Sequence, residues 1–341
     1  MGDLPDDPSP LRDWLLANVA GLPDGPIGLE VISGGASNVT IGVTIGRREL
    51  VVRRPPVGAF LPTANDMGRE FRFYSALRDT PVPTPEVFAF CDDTTVLGAP
   101  FYVMERLHGV VPHEPVVLEG MDATEGRALS ERYVEVLAAI HAVDVDAVGL
   151  ADVAKPTGYL ERQVRRWTDQ WRRTKEADPL AQDAAIDELA TILLDHIPAS
   201  PPTTIVHGDY RLGNVMVDAT DRTQIVGVFD WEMATLGDPL ADVGYTLLYW
   251  GTGGGKPVVH ASQACADGPG FFTADELVNR YAEVSGRAVD HVTFYVVLAA
   301  FKLSIIGAGN IARRRAAGDE IPDAGAVSPL GRWALDQWRR A

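Results

Sequence analysis

Three polar residues in short apolar segments carry the chemistry that this sequence can perform. Asp209 and Asn214 lie in a tight loop between two apolar runs, and Asp230 follows a third apolar run, residues 224–229. Phosphoryl transfer from a nucleotide needs one carboxylate to take the acceptor proton. It also needs an amide oxygen and a second carboxylate to hold magnesium against the phosphates. The spacing therefore predicts Asp209 as the catalytic base and Asn214 with Asp230 as the magnesium ligands.

The motifs around these residues resemble those of one known family. His-Gly-Asp at 207–209 matches the catalytic-loop signature of the aminoglycoside phosphotransferase and choline kinase family, and Phe-Asp-Trp-Glu at 229–232 matches its metal-binding strand end. A single residue of this set would more often be a loop cap or a turn former. The combination, with the second aspartate about twenty residues after the first, is much rarer and favours a kinase. A kinase-like fold without catalysis is the remaining interpretation.

The resemblance implies an α+β fold like that of protein kinases, and the chain is long enough for two lobes. Residues 1–107 would form the nucleotide-binding lobe, a small antiparallel β-sheet with one packed helix. Residues 108–341 would form a larger, mainly helical lobe with the catalytic loop and the acceptor site. The resemblance also implies ATP and Mg²⁺ as cofactors, His207 as the residue that shapes the loop, and Asp242 as its brace from the following helix.

A loop of small residues separates the first two predicted strands, and its backbone amides could approach nucleotide phosphates closely. Most Gly-Gly pairs between strands are only hairpin turns, and this loop departs from the G-x-G-x-x-G pattern of protein kinases. Its serine-rich form resembles the corresponding loop of the family. The resemblance implies nucleotide contacts from Ser33, Gly34, Gly35, Ala36, Ser37 and Asn38.

The third predicted strand ends in two arginines at the point where kinases carry a phosphate-contacting lysine. Side chains alternate along a strand, so one of Arg53 and Arg54 faces the cleft, and the family pattern favours Arg53 with Arg54 as a solvated neighbour. Residues 65–77 predict a helix, and the resemblance pairs its Glu70 with Arg53. Two surface arginines and an exposed Glu70 with local helix partners are the alternatives.

The apolar run 101–107 ends in a charged turn, and its remaining assignments come from the resemblance. This segment would connect the two lobes, with backbone groups that hydrogen-bond adenine. The expected contacts are the Glu105 carbonyl and the Leu107 amide, and Met104 would line the back of the pocket.

Helical periodicity dominates after residue 108. The run 124–141 predicts a buried helix in which His141 is a packed or capping residue. The run 159–175 interleaves arginines with tryptophans, which is typical of a solvated basic face over an aromatic core face. An anion site for the acceptor is the functional alternative, with Arg162, Arg165 and Arg166 as its candidates. The small residues of 252–270 predict a mobile loop over the acceptor site.

The motifs report the phosphate donor and leave the acceptor open. The segments 161–167 and 230–239 resemble the family branch related to kinase domains fused to acyl-CoA dehydrogenases, which is associated with phosphorylating hydroxyacyl-CoA thioesters. An arginine-rich helix suits such an anionic acceptor, whereas an aminoglycoside pocket wants clustered carboxylates. An aminoglycoside-modifying resistance enzyme and a non-catalytic nucleotide-binding regulator are the alternatives. The sequence predicts an ATP- and magnesium-dependent small-molecule kinase.

The composition excludes other classes of protein. A net charge of −17 argues against nucleic-acid binding, which requires a basic face. Cys91 and Cys265 lie far apart, as is typical of free thiols in a reducing cytoplasm. The acidic N-terminus lacks an apolar run, and no stretch approaches about eighteen uninterrupted apolar residues. We expect a cytoplasmic protein with no signal peptide or membrane span, a small-molecule acceptor and an undetermined oligomeric state.

Overall fold

The computed structural model describes residues 4–34, 38–56, 66–155, 157–259, 261–319 and 329–341. The chain forms two compact units. The first unit consists of Met1–Gly109 with Val226–Ala234, and the second consists of Val110–Ile225 with Thr235–Ala341.

The segment 226–234 differs from the expected boundary, which assigned all residues after 107 to the second lobe. It belongs to the first unit because the Val228 amide donates to the Pro83 carbonyl at 2.8 Å. Trp231 also stacks on Phe73, with ring centroids 6.3 Å apart, and packs edge-on against Tyr74. These are contacts over long sequence separations, which local periodicity does not report.

The first unit contains a five-stranded antiparallel sheet with the order β1-β2-β3-β5-β4, and the predicted small antiparallel sheet is confirmed. A two-residue turn at Gly46 joins β2 and β3, because Ile45 pairs with Arg48 and Gly46 has a φ of +60°. The elements of this unit are α1 (Ser9–Asn18), β1 (Ile27–Gly34), β2 (Val39–Ile45), β3 (Arg48–Arg54), α2 (Met67–Leu77), β4 (Val87–Cys91), α3 (Thr94–Leu97) and β5 (Phe101–Glu105).

Helix α2 begins after Asp66, whose side chain accepts from the Arg69 amide and caps the first turn. Its buried face includes Glu70, Phe73 and Tyr74. One face of the sheet packs in a core with residues of α1, among them Leu11 and Leu15. The sheet thus has one face toward α1, while the side chains of the other face include Arg53.

The second unit is mainly helical, and α9 is its central element, with α5, α6, α7 and α10 packed around it. Among the described residues, α9 is the one helix long and apolar enough to cross a membrane. Of its most apolar 18-residue window, 56% is buried inside the protein. The helices of this unit are α4 (Ala123–Ala142), α5 (Tyr159–Ala177), α6 (Ala184–Asp195), α7 (Leu240–Tyr249), α8 (Ala274–Ser285), α9 (Val292–Ala316) and α10 (Pro329–Arg340).

Short strands position the loops of the site. Strands β6 and β9 form a two-stranded antiparallel sheet in which Ile205 pairs with Leu236. The Asp218 amide donates to the Gln224 carbonyl at 2.9 Å and closes the turn that precedes β8. The short strands are β6 (Thr204–Val206), β7 (Val215–Val217), β8 (Ile225–Val228) and β9 (Thr235–Gly237).

One predicted helix start is wrong. The sequence predicts a helix that Asp178 and Pro179 begin, but α6 starts at Ala184 and its cap is Asp183, which accepts from the Ala185 and Ile186 amides. Asp178 instead pairs with Arg315 on α9, with 2.8 Å between Oδ2 and Nη1. A tertiary ion pair therefore replaces the predicted cap.

Candidate active site

The described site residues form two groups, one within each unit. In the second unit, β6 leads into the loop that carries Asp209, and β7 begins directly after Asn214. The Asn214 side-chain nitrogen donates to the Asp209 carbonyl at 2.8 Å and to Oδ2 of its carboxylate at 2.7 Å. This fixes both side chains and directs Oδ1 of Asn214 away from the Asp209 carboxylate. The structure thus brings the predicted base and one predicted magnesium ligand together.

Asp242 on α7 holds the loop through hydrogen bonds to the loop backbone, as the resemblance implied. Its carboxylate accepts from the His207 amide at 2.7 Å and from the Gly208 amide at 2.8 Å. His207 is fully buried, and its ring nitrogen Nδ1 accepts from the Asp209 amide at 3.2 Å. These bonds shape the loop through its backbone and the His207 ring, without using the Asp209 carboxylate.

His141 extends this bracing to α8. Its Nε2 lies 3.2 Å from Oδ2 of Asp242, and its Nδ1 lies 2.7 Å from the Tyr281 hydroxyl. The prediction of a packed histidine is confirmed. Burial alone would raise the pKa of Asp242, but the hydrogen bond and charge of His141 and the loop contacts hold that pKa below its ordinary value. Asp242 therefore carries a negative charge within the core.

Three residues around Asp209 were not predicted from the sequence. The Tyr245 hydroxyl donates to Oδ1 of Asp209 at 2.5 Å, and Nε of Arg211 lies 3.5 Å from the same oxygen. Nζ of Lys302 donates to the Gly208 carbonyl at 2.8 Å and lies 4.7 Å from the centre of the Tyr245 ring. The base therefore lies among a tyrosine and two cations.

The sequence did hold a signal for each of these residues. Arg211 lies inside the catalytic-loop motif, two positions after Asp209. Tyr245 follows Asp242 by three positions, which places both on one face of a helix. Lys302 is the one charged residue in the apolar stretch 292–312. None of these sequence features identifies the residues that each side chain contacts in the folded protein.

In the first unit, Arg53 joins two carboxylates. Its Nε lies 3.3 Å from Oε2 of Glu70, and its Nη2 lies 2.7 Å from Oδ1 of Asp230. The predicted pair of Arg53 and Glu70 is confirmed, and the alternative of an exposed Glu70 is wrong because this side chain is fully buried. Burial raises the pKa of Glu70 although Arg53 opposes the shift. Burial opposes the charge of Arg53, but Glu70 and Asp230 hold its pKa well above the ordinary value.

Arg54 was expected to be solvated, and this expectation is wrong. Arg54 is only 3% exposed, and its Nη1 donates to the Pro55 carbonyl at 2.9 Å. Alternation along β3 places Arg54 on the same face as Leu50 and Val52, which is the face buried in the core with α1. Arg53 therefore lies on the opposite face of the sheet, where it pairs with Glu70 of α2.

Asp230 has a φ of +67°, a left-handed conformation that is uncommon for a residue other than glycine. It follows β8 and precedes a short 3₁₀ helix, Trp231–Met233. Non-glycine residues in this conformation are concentrated at functional sites, where the surrounding structure holds the strain. The strand end that the sequence singled out is thus also a conformationally special position.

The loop of small residues lies mostly outside the described residues, which exclude Gly35, Ala36 and Ser37. The backbone of Ser33 and Gly34 ends β1. Asn38 is buried, and its side-chain nitrogen donates to Oε2 of Glu232 at 3.3 Å. The last residue of the loop therefore contacts the segment that carries Asp230.

The predicted adenine contacts lie at the end of β5. Met104 is buried, and Glu105 is the exposed last residue of the strand. The Glu105 amide donates to the Glu86 carbonyl at 2.7 Å, while Leu107 is half-buried next to Gly227. Their roles in nucleotide binding stay predictions.

The three candidate acceptor arginines on α5 are exposed and make local contacts. Arg162 donates to the Lys155 carbonyl at 2.8 Å and to the Thr157 carbonyl. Arg165 pairs with Glu161 at 2.8 Å, and Arg166 lies over the Trp167 ring. These contacts fit the solvated basic face rather than an anion site.

The segment predicted to be a mobile loop is hydrogen-bonded to the end of α7 where the structure describes it. Nζ of Lys256 donates to the Leu247 carbonyl at 2.8 Å and to the Trp250 carbonyl at 2.5 Å. The side-chain nitrogen of Gln263 donates to the Leu248 carbonyl at 2.9 Å. Burial lowers the pKa of Lys256 to about 8. These described residues are anchored to the helix.

A model of the phosphotransferase enzyme family, APH, matches residues 28–275. The chain belongs to this family. A Ralstonia eutropha protein with a provisional aminoglycoside phosphotransferase name has a similar structure, with a TM-score of 0.83, 30% identity and coverage of 98% of this chain and 99% of that one. The aminoglycoside phosphotransferase APH(4)-Ia, in complex with AMP-PNP and hygromycin B, has a TM-score of 0.56, 19% identity and 97% coverage of both chains, and shows the fold alone. The protein-kinase-like α+β fold is thus confirmed.

The curated relatives of this phosphotransferase family member are longer proteins. Mouse acyl-CoA dehydrogenase family member 10 is 34% identical over 284 residues, which are 83% of this chain and 26% of the relative. Human acyl-CoA dehydrogenase family member 11 is 28% identical over 313 residues, which are 90% of this chain and 39% of the relative. The chain spans about a quarter to two-fifths of the length of these relatives.

Magnesium fits the oxygen donors of this phosphotransferase. Among the described residues, no group of three or more His, Cys, Asp and Glu is arranged to hold a metal ion. Magnesium needs fewer protein ligands, because it keeps several waters and shares substrate phosphates. Asp230 is 26% exposed and engages one carboxylate oxygen with Arg53, while Asn214 directs Oδ1 away from Asp209. Both side chains offer the hard oxygen atoms that magnesium prefers.

Proposed function

We propose that this phosphotransferase transfers the γ-phosphoryl group of ATP, with magnesium, to the hydroxyl group of a small acceptor that carries negative charge. The observation that carries the proposal is the arrangement at Asp209. Its carboxylate is oriented by Asn214 at 2.7 Å and accepts a hydrogen bond from the Tyr245 hydroxyl at 2.5 Å. A carboxylate that already accepts a hydrogen bond from one hydroxyl can accept one from an acceptor alcohol.

Different residues supply the parts of the chemistry in this proposal. Asp209 takes the proton of the acceptor hydroxyl, and the braces from Asp242 hold it in place. Arg53 balances negative charge on the nucleotide and is itself held by Glu70. Asn214 and Asp230 would hold magnesium, which supplies charge neutralisation at the phosphates when bound.

The charges next to Asp209 favour an anionic acceptor. Arg211 and Lys302 lie beside its loop, with Arg211 3.5 Å from the carboxylate and Lys302 2.8 Å from the Gly208 carbonyl. A polycationic aminoglycoside would be repelled by these side chains. These local charges outweigh the net charge of −17, because salt screens fields beyond roughly 8 Å. Hydroxyacyl-CoA thioesters have the required hydroxyl and phosphates, and the curated relatives are named as acyl-CoA dehydrogenase family members.

Two other functions are tested against this one. An aminoglycoside acceptor is the second candidate, since the Ralstonia eutropha protein carries that provisional name. A nucleotide-binding regulator is the third, since an arginine, Arg53, stands where kinases have a lysine. Free, buried Cys91 and Cys265 are in keeping with the cytoplasmic location that we also propose.

The deciding experiment measures magnesium-dependent ADP formation with hydroxyacyl-CoA thioesters, aminoglycosides and simple amino alcohols. Asp209→Asn is the inactive variant, and Asp169→Asn, an exposed residue of α5, is the matched control. Turnover of the thioesters that Asp209→Asn loses and Asp169→Asn keeps supports the proposal. Turnover of aminoglycosides alone assigns the second function. ATP binding with no transfer to any class of acceptor favours the regulator.

A further inference from the structure

The Tyr245 hydroxyl donates a hydrogen bond to the Asp209 carboxylate, as the hydroxyl of an acceptor would. It donates to Oδ1 at 2.5 Å, while Asn214 engages Oδ2 at 2.7 Å. Tyr245 therefore offers this carboxylate an alcohol-like O–H. A substrate alcohol has to bring its own O–H to the same group before the base can take its proton.

The surroundings of Tyr245 keep it in this position as a neutral donor. The residue is 6% exposed, its ring lies 4.9 Å from the Tyr249 ring between centroids, and Lys302 lies over its face. Burial and then the charge of Asp209 hold the pKa of Tyr245 well above its ordinary value. The phenol therefore keeps its proton at neutral pH and gives it to the hydrogen bond with Asp209.

We propose that the Tyr245 hydroxyl holds the place of the acceptor on Asp209 and suppresses phosphoryl transfer to water until an acceptor displaces it. The inference rests on the proposed function. The suppressed reaction is attack of a water oxygen on the γ-phosphorus, which breaks the bond to the ADP oxygen and passes the water proton to Asp209. Its products are ADP and phosphate. A general base that stayed open to water would promote this loss of ATP.

Tyr245→Phe distinguishes the contribution of the hydroxyl from that of the ring. Phenylalanine keeps the ring packing against Tyr249 and Lys302 and removes the hydroxyl, which donates to Asp209 and lies 3.5 Å from the Tyr249 hydroxyl. We expect ADP and phosphate formation without acceptor to rise about tenfold, the size of one lost hydrogen bond to a charged group. Transfer to the acceptor should persist, so the fraction of ATP lost to water should rise. A merely structural tyrosine would instead lower hydrolysis and transfer together.

Two further variants make the test specific. Tyr159→Phe removes another buried phenol of the same unit, one whose ring packs against Gly237, and should leave hydrolysis unchanged. Tyr245→Phe combined with Asp209→Asn should lose the added hydrolysis, because the water proton then has no acceptor. Melting temperatures of all variants establish that they fold.

The outcomes separate the inference from the function on which it rests. If the wild-type enzyme transfers phosphate and folded Tyr245→Phe hydrolyses ATP no faster than the wild type, the inference is overturned and the proposed function stands. If added hydrolysis persists without the Asp209 carboxylate, the inference is also overturned. If no variant consumes ATP with or without acceptor, both fall. Added hydrolysis that depends on Asp209 supports the inference.

Discussion

Nη2 of Arg53 donates to Oδ1 of Asp230 at 2.7 Å, so the cation expected to meet the nucleotide is bonded to the aspartate expected to meet the metal. The same guanidinium lies 3.3 Å from the buried Glu70. A phosphate that approaches Arg53 must therefore share it with Asp230. The Arg53 side chain therefore couples the predicted nucleotide contact to the predicted metal ligand within the first unit.

Replacing Arg53 with methionine should weaken both stability and ATP binding. The buried carboxylate of Glu70 would lose its cation, which costs about 3 kcal/mol of unfolding free energy. Urea denaturation measures the first effect, and the KM for ATP measures the second. Arg53→Lys, which keeps the charge but loses the fork of donors, should recover part of both. Wild-type stability and KM in Arg53→Met would contradict the pairing as a functional unit.

The charge of Asp242 should make stability depend on pH. The folded-state pKa lies below the unfolded value, so the unfolded chain binds more protons between the two. The stabilisation is then present above the unfolded pKa of about 3.9 and is lost as the pH falls through the folded pKa. Denaturation midpoints measured from about pH 7 down to pH 2 report this slope.

Asp242→Asn should reduce the loss of stability that the wild-type protein shows as the pH falls through the folded pKa of Asp242. The His207 and Gly208 amides donate to different oxygens of Asp242, and asparagine replaces one of these oxygens with an NH2 group that cannot accept. The free energy of unfolding at neutral pH should therefore also fall by about 2 kcal/mol. Asp169→Asn, at an exposed position, serves as the control. An unchanged acid limb in Asp242→Asn would show that other carboxylates set the dependence.

Arg211 and Arg165 distinguish two places for an anionic acceptor. We expect Arg211→Ala to lower kcat/KM for a hydroxyacyl-CoA thioester by about a hundredfold, since a charged hydrogen bond next to the base is lost. Arg165→Ala should leave this value unchanged, because Arg165 is exposed and paired with Glu161. Steady-state kinetics with varied acceptor decide between them. The reverse result would restore the α5 arginines as the acceptor site.

Gly244 and Gly307 form a matched pair for helix packing. A Cβ at Gly244 would lie 2.4 Å from the backbone carbon of Tyr295, so Gly244→Ala must push α7 away from α9. We expect a loss of about 2 kcal/mol and, because Tyr245 is adjacent, lower activity. A Cβ at Gly307 meets nothing within 4 Å, so Gly307→Ala should raise stability by up to about 1 kcal/mol. Equal thermal midpoints for the two variants would refute this packing.

Local patterns predicted the elements best. The strands and α4 follow from the periodicity of their apolar residues, which is a property of adjacent positions. The first turn of α6 was misplaced because Asp178 and Asp183 are both good caps, and the choice between them depends on Arg315 from α9. Which of two capable residues acts is decided by contacts over more than a hundred positions, which periodicity does not contain.

By itself the sequence determined the chemical types and their spacing, with Asp209, Asn214 and Asp230 in their motifs. Short loops and strand ends carry this information because the residues that set their geometry are neighbours in the chain. The pair of Arg53 with Glu70 was implied only by the family resemblance, and the structure confirmed it. Only the tertiary structure decided that Tyr245 and Lys302 meet the catalytic loop and that Arg54 is buried. Those outcomes depend on how α7 and α9 pack together and on which face of the sheet α1 covers. The physical reason is that packing selects among faces that local sequence leaves equivalent.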